Sequence, residues 1–284
     1  MHLGVVMTGN GAHAAASVGV LQALLERGLE PCAVCGMQSG ALPAALYLSG
    51  MQIDGLVSAA HEAAARGNRL LPPRRLASRV LLGKGSALLR DERLERLLIA
   101  GTKQRLLPVC PRTGALLCRF VRTGHHAVFS TRAYAQESGA MLSMQATVGF
   151  AARAAAALPP FLSPMVWMGS YLLPETDVAF ACRQVMLLGA QRVLVVSPSP
   201  SLRTAPDVMD LTGMAMAASI SQIQGHGVAV LHVPMPDGAG ALAFDKMPAC
   251  MQAGRDAAER ELDRLFEEMG MAFCRVLPFR GSRA

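Results

Sequence analysis

The opening 48 residues alternate short apolar runs, glycine turns and apolar helices, and few folds accept that order. Leu3, Val5, Val6 and Met7 form a run of the length of a buried parallel strand. Thr8-Gly9-Asn10-Gly11-Ala12 follows as a glycine-rich turn. Residues 14–27 then place Val18, Leu21, Leu24 and Leu25 on one helical stripe, which Gly28 stops. A second strand is expected over 31–35, a tight turn over 36–40 and an alanine-rich helix over 41–48. Pro43 falls in that helix's first turn, where a missing N–H costs little. Strand, turn and helix repeated in this way begin a parallel α/β sheet.

The rest of the chain extends the pattern. Helices are expected over 53–66, 90–100 and 253–269, with another ending near Gly189. Strands are expected over 106–110, 116–121, 192–196 and 228–233. The sum is a three-layer α/β/α fold with a mostly parallel central sheet. With 52% hydrophobic and 17% charged residues, the chain has the composition of a packed domain and not of a disordered one. No internal repeat or linker interrupts it, so residues 1–284 read as one domain. Segments about 60–100 and 130–147 are expected to be peripheral or lid-like helices, with an apolar pocket between them.

Membrane insertion and metal binding both find weak support. The uncharged stretch 31–53 contains Pro31, Gly36, Gly40 and Pro43, and the stretch 154–174 contains four prolines, so neither suits a spanning helix. Met1-His2-Leu3 lacks the basic start of an export signal, which points to a cytoplasmic location with reduced thiols. Cys32 and Cys35 are three apart on an expected strand and would face opposite sides, against a shared metal. Much of the net charge of +7 falls on Arg66, Arg69, Arg74, Arg75, Arg79, Lys84, Arg90, Arg93 and Arg96. That group reads as a solvated helical face with Asp91, Glu92 and Glu95 beside it. Peripheral contact with anionic lipid is its second reading, and the lack of interleaved aromatics argues against specific nucleic-acid binding.

Two glycine turns between strand and helix also make a chemical arrangement. The first can aim backbone N–H groups at an anion, and the second can present a side chain on a sharp elbow. On these segments the chain resembles the patatin-like phospholipase family. Gly4 through Leu21 is similar to the family's G-G-G-x-[RK]-G loop and the helix after it. Gly36-Met37-Gln38-Ser39-Gly40-Ala41-Leu42 is similar, without a gap, to its G-T-S-A-G-A-L elbow. Ala152-Arg153-Ala154 through Leu158-Pro159, Leu188-Gly189-Ala190, Phe244-Asp245-Lys246 and Gln252-Ala253-Gly254 resemble later segments in the right order. The resemblance implies a lipid acyl hydrolase fold related to the α/β-hydrolases, a serine–aspartate dyad, and no cofactor or metal.

The departures from that pattern decide the functional expectation. Gln38 stands where the resemblance places the serine nucleophile, and a carboxamide is not a usable nucleophile. Ser39, one residue later, matches the position whose N–H completes the oxyanion hole. The family's aspartate falls on Leu173 or on Met168, depending on which neighbouring segment anchors the comparison, and neither is a carboxylate. Glu175 and Asp177 are the nearest carboxylates, and Asp177 reads as a helix cap. In the first loop Gly9 and Gly11 remain, Asn10 replaces a glycine and His13 replaces a basic residue, so an amide cradle for anions can survive. The expectation is a pseudoenzyme retained for a lipid or acyl ligand, or for pairing in a homo-oligomer or with an active homologue. The alternative is an esterase rewired around Ser39 with Glu175, Asp177 or His13.

Overall fold

The computed structural model describes residues 2–67, 91–201, 210, 220, 223 and 227–271. Among them, nine strands join one sheet: β1 Leu3–Met7, β2 Ala33–Met37, β3 Gly114–Phe120, β4 His126–Ser130, β5 Ala140–Ser143, β6 Met165–Trp167, β7 Ser170–Pro174, β8 Arg192–Ser199 and β9 Val228–Pro234. The order is β5-β4-β3-β2-β1-β8-β9, and the five from β3 to β9 run parallel. Seven α-helices accompany them: α1 Ala16–Glu26, α2 Ala41–Leu48, α3 Ile53–Ala65, α4 Asp91–Thr102, α5 Val148–Ala155, α6 Val178–Leu187 and α7 Met247–Glu268.

Strand side chains alternate between two cores, as the pleat requires. Val5, Met7, Val34, Leu116, Leu194 and Val196 face the layer that contains α1, α2, α5 and α7. Val6, Cys35, Met37, Leu117, Val193 and Val195 face α6 with Ile220. This is the expected three-layer arrangement. The longest helix, α7, lies along α1 with the two backbones in contact. A Cβ on Gly254 would stand 2.1 Å from the carbonyl oxygen of Ala16, so only glycine fits there.

Beyond the parallel strands the sheet changes direction. β4 runs antiparallel to β3, and the β6–β7 hairpin adds to the other side of β3 past the end of β2. β7 pairs with Cys118, Arg119 and Phe120 where β2 pairs with the residues from Gly114 to Leu117, so β7 ends close to where β2 ends.

Several boundaries differ from expectation. Residues 106–110 are not a strand but a 3₁₀ turn at Leu107–Val109, because Pro108 has no N–H for a ladder. Residues 130–147 are not lid helices: β5 lies among them, paired in parallel with β4. Its backbone is held there by His126 N–H donating to the Gly139 carbonyl. Helices do occur on either side of the other proposed lid, as α3 and α4, while residues 68–90 lie outside the described residues. No helix among the described residues is long and apolar enough to cross a membrane.

Candidate functional site

β2 ends at Met37, and the chain turns through a 3₁₀ segment, Gln38–Gly40, into α2. Gln38 sits at φ +53, in the left-handed region, and is only 3% exposed. A left-handed non-glycine residue costs about 1–2 kcal/mol, so the packing around the elbow holds this conformation against its local preference. The turn thus has the sharp strand-to-helix backbone expected of an elbow, with the amide of Gln38 at its left-handed position.

The first turn faces this elbow. Gly11 N–H donates to Ser39 Oγ at 2.9 Å. Gly11 has φ +52, and a Cβ there would lie 2.0 Å from the Ala241 carbonyl oxygen. That carbonyl also accepts from Ala12 N–H at 2.8 Å. Two amides of the expected anion cradle are thus already satisfied within the protein. Asn10 adopts φ −104, so its tolerance of positive φ is not used. His13 is 2% exposed, and its Nε2–H donates to Ala239 O at 2.6 Å, which fixes the proton on that nitrogen. Asp210 Oδ1 lies 3.7 Å from His13 Nε2 and accepts from Ala241 N–H at 2.9 Å. Asp210 and the segment from Ala239 to Ala241 were not legible as site residues, because they meet the first turn only in three dimensions.

The candidate bases are engaged elsewhere. Glu175 is fully buried. Its Oε1 accepts from Arg119 Nη2 at 2.9 Å and from the N–H groups of Thr176 and Asp177 at 2.9 and 3.0 Å. Its Oε2 lies 2.6 Å from His126 Nδ1, and the His126 ring stacks on Phe180 at 3.7 Å. Asp177 caps α6, accepting from Phe180 N–H at 2.9 Å. Met168 occupies the tip of the β6–β7 hairpin at φ +51 and is 74% exposed, while Leu173 lies within β7 opposite Arg119. Neither supplies an ionisable group. Trp167 packs edge-on to Phe129 and tilted against Phe150.

The apolar pocket lies elsewhere than between the two proposed lids. A cavity of about 360 Å³ opens between α1, α2, α3 and α4. Gly11, Ala14 and Val18 line it from the first turn and α1, and Leu42, Pro43 and Leu46 from the elbow helix. Leu56, Ala59, Ala63, Leu94 and Leu98 complete the wall. Of the basic group, Arg66 pairs with Glu62 at 3.4 Å and Arg96 Nε donates to the Glu92 carbonyl, as on a solvated helical face. Arg69, Arg74, Arg75, Arg79, Lys84 and Arg90 lie outside the described residues.

The thiols of the described residues carry no reactive signature. Cys35 is wholly buried, and burial, with smaller effects of Cys182 and Glu175, pushes its thiol well up. Cys32 is only half-buried and lies just before β2. No group of His, Cys, Asp and Glu among the described residues is placed to hold a metal ion.

Known proteins match this arrangement in sequence pattern and in fold. No curated protein sequence matches the chain significantly. VipD from Legionella pneumophila superposes with a TM-score of 0.50 at 12% identity, over 93% of this chain and 67% of VipD. ExoU of Pseudomonas aeruginosa, in its complex with SpcU, gives 0.44 at 15%, over 93% and 52%. Human GIVD cytosolic phospholipase A2, in complex with methyl γ-linolenyl fluorophosphonate and terbium chloride, gives 0.46 at 13%, over 95% and 60%. The chain thus spans about half to two thirds of these proteins, and at 12% identity the likeness to VipD is one of fold. The sequence profile described as "Patatin-like phospholipase" matches residues 5–174, most of the chain and both glycine turns. On that match, and on the elbow and sheet that carry it, the chain belongs to the patatin-like phospholipase family.

Proposed function

We propose that this chain is a catalytically silent patatin-like protein that binds the apolar chain of a lipid or acyl ligand. The observation that carries the reading is at the elbow: Gln38 holds the strained tip position at φ +53, and the neighbouring Ser39 Oγ rests on the Gly11 N–H. Acyl transfer needs an attacking atom, a base and free oxyanion donors together. At this elbow the tip is an amide, the position matching the family's aspartate is Leu173 or Met168, and the Gly11 and Ala12 N–H groups have internal acceptors.

A rewired site around Ser39 meets specific obstacles. Glu175 takes two charged or ring donors and two backbone donors, Asp177 caps a helix, and the Nε2 proton of His13 is committed to a carbonyl. The apolar cavity against the elbow helix supports a ligand-binding reading, being within the size range of small-molecule sites. Six free cysteines among the described residues suit a reducing, cytoplasmic setting.

Hydrolysis of p-nitrophenyl butyrate tests the chemical half. The wild type and Ser39→Ala should both stay at the buffer rate, whereas turnover that disappears in Ser39→Ala would establish the rewired esterase. Displacement of a fluorescent acyl probe by decanol tests the binding half, and no displacement at any soluble concentration would remove it.

A further inference from the structure

A second cavity, of about 580 Å³, lies beside the apolar one, and the two share Met51 and Gly101 as wall residues. Its chemistry is opposite. Lys103, Arg105 and Arg112 line it, against the single carboxylate of Glu30. Arg112 is fixed in place: its guanidinium donates to the carbonyls of Tyr47 and Met51 at 2.8 and 2.9 Å, stacks 3.9 Å from the Tyr47 ring, and lies 3.5 Å from Glu30. Glu30 is therefore already paired. Lys103 is exposed and Arg105 half-buried, and neither side chain makes a hydrogen bond or ion pair among the described residues. The cavity thus carries two uncompensated cations.

The backbone at this point is unusual as well. Lys103 and Gln104 follow α4 with φ +52 and +50, two successive non-glycine residues in the left-handed region. Such a pair runs against the backbone preference of L-residues and persists only where surrounding contacts hold it. Those contacts are on either side: Arg105 N–H donates to Thr102 O at 3.0 Å, and Arg105 O accepts from Val148 N–H at 2.9 Å. The strained turn places Lys103 and Arg105 on the rim of the same cavity as Arg112.

The wall between the cavities includes the side chain of Met51, an unbranched thioether that changes rotamer at little cost. We propose that the paired cavities form one site for a single-chain lipid with a phosphate head, the chain lying in the apolar cavity and the phosphate at Lys103, Arg105 and Arg112. This rests on the acyl-binding reading above and adds the ligand's charge and its direction. The head lies at the Met51–Gly101 end, and the chain extends toward Gly11 and the elbow. A phosphate suits the donors, since a guanidinium and an ammonium give it charge-assisted hydrogen bonds, shorter and stronger than those between neutral groups.

The test is calorimetric titration of the full chain with decyl phosphate, decanol and inorganic phosphate, each below its aggregation limit. Three proteins are compared: wild type, Lys103→Asn with Arg105→Gln, and Ala59→Phe. Asparagine is chosen at 103 because it tolerates positive φ, and both sites are on the surface side of the fold, so the variant should fold. Decyl phosphate should bind wild type at least about tenfold more tightly than decanol. The double variant should lose that advantage and leave decanol binding unchanged, and Ala59→Phe should weaken decyl phosphate and decanol together. Equal binding of decyl phosphate and decanol would overturn the phosphate head while leaving the acyl reading intact. Inorganic phosphate binding as tightly as decyl phosphate, unaffected by Ala59→Phe, would overturn the joined site in favour of a separate phosphate site. Binding of none of the three probes would overturn this proposal and the acyl reading alike.

Discussion

At the scale of single residues, the proposed silence rests on Gln38 at the tip of the elbow and on the lack of a carboxylate at Leu173 or Met168. Restoring a hydroxyl at the elbow should not restore catalysis, because nucleophile and base act as a unit. Gln38→Ser is expected to fold, to retain the positive φ, and to leave p-nitrophenyl butyrate hydrolysis at the buffer rate. Measurable turnover would mean that a base lies within reach. Glu175 is the opposite kind of residue, a structural carboxylate whose removal strands Arg119 and His126. Arg119 is 39% exposed, so water takes up part of its charge when Glu175 is removed, while His126 and two backbone donors lose their acceptor. Glu175→Ala should therefore lower the stability read by urea titration by about 1–3 kcal/mol. A change under about 1 kcal/mol would mean that the cluster is solvated. The identities of Gln38 and of Leu173 or Met168, on which the proposal rests, were legible in the sequence itself. The capture of Gly11 N–H by Ser39 Oγ and the burial of Glu175 were not, because each depends on contacts between distant segments.

At the scale of elements, the sequence was most informative where the hydrophobic period and the turn residues agreed. The two opening strand–turn–helix units and the helix at 41–48 lie as expected because Gly, Pro and apolar spacing all point the same way. Residues 106–110 misled because Leu106, Leu107 and Val109 suggest a strand while Pro108 forbids its ladder, and Leu106 and Val109 are in fact exposed. The reason for glycine at 254 also emerges only from packing. Gly254→Leu drives a side chain into the Ala16 carbonyl and should separate α1 from α7, with a loss of at least about 3 kcal/mol by denaturant titration. A neutral result would mean that the two helices slide freely.

At the scale of the whole molecule, a parallel sheet with two alternating cores was readable from composition and order, and the cavities were not. The apolar one arises where α1, α2, α3 and α4 converge and the cationic one where the segments after α1, α2 and α4 meet Arg112, and no local pattern marks such junctions. The core also predicts how stability responds to alkali. Burial raises the Cys182 and Cys250 thiols from 9.0 to about 12. The unfolded chain therefore releases these protons first, so their contribution is complete below about pH 9 and declines between about pH 9 and 12. Equilibrium unfolding across that window should show the fall, and Cys182→Ala with Cys250→Ala should flatten it. Native protein at pH 8 should likewise resist alkylation at Cys35, Cys118, Cys182 and Cys250, all of which are buried.

The central claim, that the fold retains its elbow without an activatable oxygen, is tested most directly by a fluorophosphonate probe read by intact mass and peptide mapping. The account predicts an unmodified chain after prolonged incubation at neutral pH. A stoichiometric adduct mapped to Ser39 would contradict it.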